Sequence, residues 1–67
     1  MMVTLEAARV NAGLKQSEAA EKMGITPETL SRWEKGKSFP TVPQITKLEE
    51  LYGVSYANIN FCPEKSV

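Results

Sequence analysis

KQSEAAEKMGITPETLSRWEKG, residues 15–36, is the stretch whose reading decides the fold. At its centre Gly24 follows a run with helical spacing, where a chain leaving a helix turns through a left-handed residue that glycine adopts without steric cost. Two residues later Thr26 offers a side-chain oxygen to the free N–H groups of a next helix. Pro27 then fits the first helical position, whose N–H lacks a partner in any case. The stretch therefore predicts a helix over 16–23 and another over 27–35, joined by a tight turn. Helices joined this way cross steeply and approach closely, which asks for a small residue midway along the first. Ala20, four before Gly24, supplies it.

The same punctuation extends the reading in both directions. Gly13, Gly36 and Gly53 also close helix-period segments, and Leu14, Ile25 and Val54 stand where an apolar residue folds back on the last turn. Thr4 precedes a first helix over 5–12, Thr41 with Gln44 makes a capping box for a fourth over 43–52, and Ser55 opens a short fifth over 56–61. Leu5, Ala8 and Ala12 share one face of the first helix, Ala20 and Met23 one face of the second, and Ile45, Leu48, Leu51 and Tyr52 one face of the fourth. Leu14, Ile25, Leu30, Trp33, Val54 and Ile59 are expected to close the same core. Strand alternation is absent. The expected class is therefore all-α, a compact five-helix bundle over residues 1–61 followed by a short tail at 62–67.

Size and composition exclude several function classes. The 67 residues hold one domain, and a domain of that size buries only about 60% of the surface its unfolded chain exposes, so helix caps matter. Cys62 is the single cysteine, which rules out an intrachain disulfide and fits a reducing, cytosolic compartment; its plain reading is a tail thiol without a role. Glu6 and Arg9 interrupt any leader pattern, and no apolar run approaches the roughly 20 residues of a spanning helix. With no histidine, Ser-His-Asp and Cys-His catalysis and the common zinc sites are out of reach, and no glycine-rich phosphate loop is present. An enzyme is not expected, nor a metal, cofactor or small-molecule ligand. Eight Lys and Arg balance eight acidic residues, which argues against a strongly basic, non-specific nucleic-acid binder. The distribution is less even: Arg32, Lys35 and Lys37 cluster around Glu34 alone, while Glu49, Glu50 and Glu64 lie toward the C-terminus.

Taken in order, Gly13-Leu14-Lys15-Gln16, Ala20, Gly24-Ile25-Thr26, Leu30-Ser31-Arg32-Trp33-Glu34-Lys35-Gly36, Pro40, Leu48 and Leu51-Tyr52-Gly53-Val54-Ser55 resemble the Cro/cI-type (xenobiotic-response-element) helix-turn-helix family. The resemblance covers roughly residues 5 to 60. No single piece is specific, whereas Gln16, Ala20, Gly24, Trp33-Glu34 and Gly36 at these spacings are. It implies a five-helix lambda-repressor-like bundle with the helix-turn-helix at helices 2 and 3, binding to double-stranded operator DNA, and a homodimer.

Carried over residue by residue, the resemblance sets Gln16 and Ser17, at the start of the second helix, against a DNA phosphate and makes the third helix the recognition helix. Thr26, Pro27, Glu28, Thr29, Ser31 and Arg32 become the base-contacting set, with Glu28 accepting from cytosine N4 and Arg32 bonding guanine O6 and N7. Lys35, Lys37 and Ser38 become phosphate contacts. Arg9 and Glu34 become a structural ion pair tying the first helix to the end of the third, and Tyr56, Ile59 and Phe61 a dimer contact. Plainer readings stand beside these: Gln16 as a solvated first-turn residue, Glu28 as a carboxylate favoured by a helix N-terminus, Thr26 as an N-cap, and Arg32, Lys35 and Lys37 as ordinary exposed cations.

Three departures from the family pattern matter. Ala19 stands where leucine is usual, which leaves core volume for Trp33 or a neighbour to fill. Lys15 stands where an N-capping Ser or Thr is typical. Zero net charge implies weak non-specific binding and gives dimerisation more weight. The reading is a small transcriptional regulator, of the repressor type found in prophages or mobile elements, whose length leaves no effector domain. The competing reading is a protein-binding adaptor or antirepressor that keeps the fold and docks a protein through helix 3 or helix 4, with Phe39, Tyr56, Phe61 and Val67 as its apolar surface.

Overall fold

The computed structural model describes residues 2–61, and within them three of the four helices start where a side chain accepts from a free N–H group. Thr4 accepts from the Ala7 N–H at 3.0 Å and opens α1, Leu5–Asn11. Thr26 accepts from the Thr29 N–H at 3.1 Å and opens α3, Pro27–Glu34. Thr41 and Gln44 exchange reciprocal bonds, Gln44 Oε1 accepting from the Thr41 N–H at 2.7 Å and Thr41 Oγ1 from the Gln44 N–H at 3.4 Å, at the head of α4, Val42–Tyr52. The head of α2, Gln16–Met23, differs. Lysine carries no acceptor, so only the reverse half of a capping box forms there, Glu18 Oε1 accepting from the Lys15 N–H at 2.8 Å.

Gly24 ends α2 with φ 74°. The next N–H, that of Ile25, reaches back to the Ala20 carbonyl at 3.0 Å, which turns the chain at once into Thr26 and α3. A Cβ on Gly24 would meet nothing within 4 Å, so the requirement for glycine comes from the backbone angle and not from crowding.

The expected fifth helix over 56–61 does not form. A three-residue 3-10 turn, Tyr56–Asn58, is followed by β2, Ile59–Asn60. β2 pairs in parallel with β1, Val3–Thr4, in the register Val3 with Ile59 and Thr4 with Asn60. The all-α class is corrected accordingly to four helices and a small strand pair among the described residues. The Ser55 cap is present, accepting from the Ala57 N–H at 3.3 Å, but pairing with β1 takes over from Ile59 onward. Two-residue strands are too short to show the alternation by which a sequence announces a sheet.

Leu5, Ala8, Ala19, Ala20, Met23, Leu30, Trp33, Leu48, Tyr52 and Ile59 form one buried cluster, with Val3, Ala12, Leu14, Ile25, Leu51, Val54 and Phe61 packed against it. Ala19 and Ala20 are fully buried, so α2 presents a thin edge to α3, and the large ring of Trp33 occupies the same cluster. Ile45 is the exception among the expected core residues: it is half-buried and stands outside the cluster. Among the described residues no helix is long and apolar enough to cross a membrane. Cys62, Glu64 and Val67, with the rest of the expected tail at 62–67, lie outside the described residues.

Two charged side chains are buried with this core. Arg9 Nε lies 2.7 Å from Glu34 Oε2, and both residues are nearly sealed from solvent, 9% and 7% exposed. The Arg9 guanidinium also donates to the Leu14 carbonyl at 2.9 Å. Its bond to Glu34 holds the Arg9 pKa above the ordinary value against the opposing effect of burial. Removing one partner strands a buried charge, so Arg9→Ala is expected to cost about 3–5 kcal/mol, a large share of the stability of a domain this small. A melting temperature within a few degrees of wild type would contradict this.

Tyr52 lies beside the same pair, and among the described residues its buried hydroxyl has no hydrogen-bond partner. Burial, with a smaller contribution from the Glu34 charge, pushes its pKa from 10.0 up to about 12. A raised phenol pKa means that folding favours the neutral form. That contribution is intact below pH 10.0 and is lost as pH climbs to about 12, at about 1.4 kcal/mol per pH unit. Tyr52→Phe should therefore flatten the alkaline fall in stability and, by deleting an unsatisfied hydroxyl, stabilise the domain at neutral pH by about 1 kcal/mol. Urea unfolding of both proteins across that range measures both effects, and a Phe variant weaker than wild type at neutral pH would overturn the account.

Candidate nucleic-acid interface

The buried face of α3 carries Leu30, Trp33 and Glu34, which fixes what its other face can offer. Pro27, Glu28 and Arg32 are exposed, and Thr29 and Ser31 are half-buried between the two faces. Among the described residues no protein group holds the side chains of Glu28 or Arg32, so a carboxylate and a guanidinium stand free one helical turn apart. Thr26 is differently occupied. Its hydroxyl oxygen caps α3 and lies 2.9 Å from the Thr29 hydroxyl, so these two threonines form a linked pair at the helix start.

The end of α3 carries the cations. Lys35 and Lys37 are exposed and Ser38 is half-buried, and the chain between them is pinned by the Lys37 N–H donating to the Arg32 carbonyl at 2.9 Å across Gly36, φ 75°. Arg32, Lys35 and Lys37 thus lie within one hydrogen-bonded segment, on or just past the last turn of α3.

At the head of α2, Ser17 is exposed, whereas Gln16 is half-buried and its Nε2 donates to Glu34 Oε1 at 3.0 Å. Sequence reasoning placed Gln16 against a phosphate and did not anticipate this bond. Spacing carried no signal for it, since the partners are 18 residues apart. Also unanticipated is a groove of about 540 Å³ lined by Val42, Ile45, Thr46, Glu49 and Tyr56. Its rim is apolar, Val42 being 76% and Tyr56 57% exposed, and Glu49 Oε2 accepts from the Tyr56 N–H at 2.7 Å, holding the 3-10 turn to α4. The signal was the spacing of Val42, Ile45 and Glu49, a stripe at helical period that adjoins the face of Leu48 and Tyr52. Among the described residues no three His, Cys, Asp or Glu side chains gather as metal ligands would.

The three expected dimer residues divide. Tyr56 is exposed, Phe61 is half-buried against the core, and Ile59 is 3% exposed within the core of its own chain. Ile59 is therefore removed from that set, because its side chain is already covered where β2 meets β1.

A sequence profile of the helix-turn-helix family matches residues 5–59. The chain is 43% identical over 51 residues to the HTH-type transcriptional regulator ImmR of Bacillus subtilis (strain 168), a match covering 76% of this chain and 40% of the relative. It is 44% identical over 39 residues to an uncharacterized HTH-type transcriptional regulator of Haemophilus influenzae, covering 58% of this chain and 16% of the relative. The chain thus spans well under half the length of either relative. No solved structure matches significantly. A turn closed by Gly24 between α2 and α3, a profile that runs from the start of α1 to Ile59, and two relatives named as HTH-type regulators agree: this chain belongs to the Cro/cI-type helix-turn-helix family.

Proposed function

We propose that this chain binds duplex DNA as a transcriptional regulator of the repressor type, with α3 in the major groove. The observation that carries the reading is the division of α3 into a locked face and a free one. Leu30, Trp33 and Glu34 hold the helix rigid, and rigidity is what base readout requires, since a guanidinium must meet two acceptors at once. Arg32 reads guanine O6 and N7, Glu28 accepts from cytosine N4, and Thr29, Ser31 and Pro27 contact base edges nearby. Thr26 contributes as the cap that holds Thr29. Lys35, Lys37, Ser38 and Ser17 contact phosphates, which set register and carry no sequence information.

With Lys and Arg equal to acidic residues at eight each, one copy gains little from phosphate neutralisation, so two copies on paired half-sites supply the missing affinity. Exposed Tyr56 and half-buried Phe61 are the residues proposed for that contact. A domain that occupies its operator excludes other proteins from it, which is repression in its simplest form. The names of the two relatives, both HTH-type transcriptional regulators, support the same class of function. The groove at Val42, Ile45 and Tyr56 favours a second reading, a module that docks a protein without reading DNA.

Selection of random duplex DNA at two salt concentrations, with wild type and Arg32→Ala in parallel, tests the proposal. The expected result is enrichment of two half-sites about one helical turn apart, with preference at one guanine relaxed in the variant at a cost of about 1–3 kcal/mol. Absence of enrichment at the lower salt would put protein docking first.

A further inference from the structure

We infer that Gln16 is a positioning residue for the recognition helix, acting through Glu34, and that its contribution to DNA binding is to sequence discrimination more than to grip. This rests on the DNA-reading function proposed above and assigns a part of it that a phosphate contact would not explain.

Glu34 is the last residue of α3, and its two oxygens are both engaged: Oε2 takes Arg9 Nε at 2.7 Å and Oε1 takes Gln16 Nε2 at 3.0 Å. Arg9 in turn donates to the carbonyl of Leu14, two residues before Gln16, at 2.9 Å. The links close a ring. From Gln16 it runs to Glu34, to Arg9, to Leu14 and back through Lys15 to Gln16, tying α1, the entry to α2 and the end of α3. Gln16 is the only member of the ring's side chains that is partly open to solvent, since Arg9 and Glu34 are buried.

The head of α2 depends on this bond more than the other helix starts depend on theirs. No side-chain oxygen caps it from Lys15, and its one capping contact is the Glu18 carboxylate on the Lys15 N–H. A primary amide has two N–H donors; with one held by Glu34, Gln16 has one left for a phosphate oxygen. The bond to Glu34 sets where the end of α3 lies relative to the head of α2. Arg32 is two residues before Glu34, so a small tilt there displaces the guanidinium from a two-pronged contact on guanine. Phosphate contacts by the flexible Lys35 and Lys37 tolerate the same tilt.

The test compares wild type, Gln16→Met and Gln16→Lys in affinity for the selected operator and for an unrelated duplex, with melting temperatures and the side-chain amide proton signals of Gln16 in the free protein. Met keeps the size and removes the donor, and Lys keeps a donor for Glu34. The inference expects Gln16→Met to melt clearly below wild type, because buried Glu34 Oε1 loses its donor, yet to stay folded at the binding temperature and lose about tenfold in the specific-to-non-specific ratio, with non-specific affinity falling by no more than about twofold for the one phosphate donor removed. Gln16→Lys should keep the ratio within about twofold while binding every duplex more tightly, as an added cation does. Equal losses on both duplexes in Gln16→Met would overturn it, because that is the signature of a phosphate contact. So would a Gln16→Lys ratio as low as that of Met, or Gln16 side-chain amide protons that show ordinary solvated shifts and no protection from exchange in the free protein. A wild-type ratio near one would sink the DNA reading itself and this inference with it, whereas a high wild-type ratio with equal losses sinks the inference alone.

Discussion

The buried pair of Arg9 and Glu34 is the constraint around which the rest is arranged. An ionised carboxylate or guanidinium taken out of water alone costs several kcal/mol, and two together are tolerated only when their remaining hydrogen-bonding capacity is met. Here it is met from three elements: Leu14 at the exit of α1, Gln16 at the head of α2, and the pair itself across α1 and α3. An apolar contact of similar size would hold these helices together, but it would tolerate sliding. Two charges with directional partners do not, and the end of α3 is the place where sliding would matter most to a helix that presents Arg32.

The small core explains why so many starts and stops are explicit. Among the described residues alanine supplies three of the ten buried core positions, Ala8, Ala19 and Ala20, and alanine contributes little area, so burial alone leaves a narrow margin. Caps from Thr4, Thr26 and Thr41 and the parallel pairing of β1 with β2 restrict what the backbone can do instead. The strand pair brings residues from the two ends of the described chain together. It holds Ile59 beside Val3, where Ile59 is buried.

What was legible in the sequence follows from the range of the forces involved. Caps and left-handed glycines act within one turn of the chain, so Thr26, Pro27, Gly24 and the Thr41–Gln44 box could be read directly and stand in the structure as expected. The fifth helix failed for the opposite reason: Ser55 does start a helical turn, but the fate of Ile59 and Asn60 is decided by Val3 and Thr4, more than 50 residues away. Ile45 was assigned to the core because it shares an approximate face with Leu48; a helix face is broad, and only packing says where its edge lies. The bond from Gln16 to Glu34 is likewise a tertiary contact without local signature, while Glu28 and Arg32 entered through the family resemblance and are exposed in the structure.

Formal neutrality also looks different once the acidic groups are placed. Glu34 is buried on Arg9, Glu18 holds the Lys15 N–H, and Glu49 holds the Tyr56 N–H, so these carboxylates serve the chain's own structure at fixed points. Arg32, Lys35 and Lys37 have no such duty among the described residues and remain free at one end of α3. Net charge counts both groups equally, but a phosphate backbone meets them unequally, because field at short range depends on where a charge sits and what already surrounds it. A neutral chain can therefore present a cationic end on one helix while keeping its long-range attraction to arbitrary DNA low. Low background attraction with a rigid local contact is the combination that raises the ratio of specific to non-specific binding.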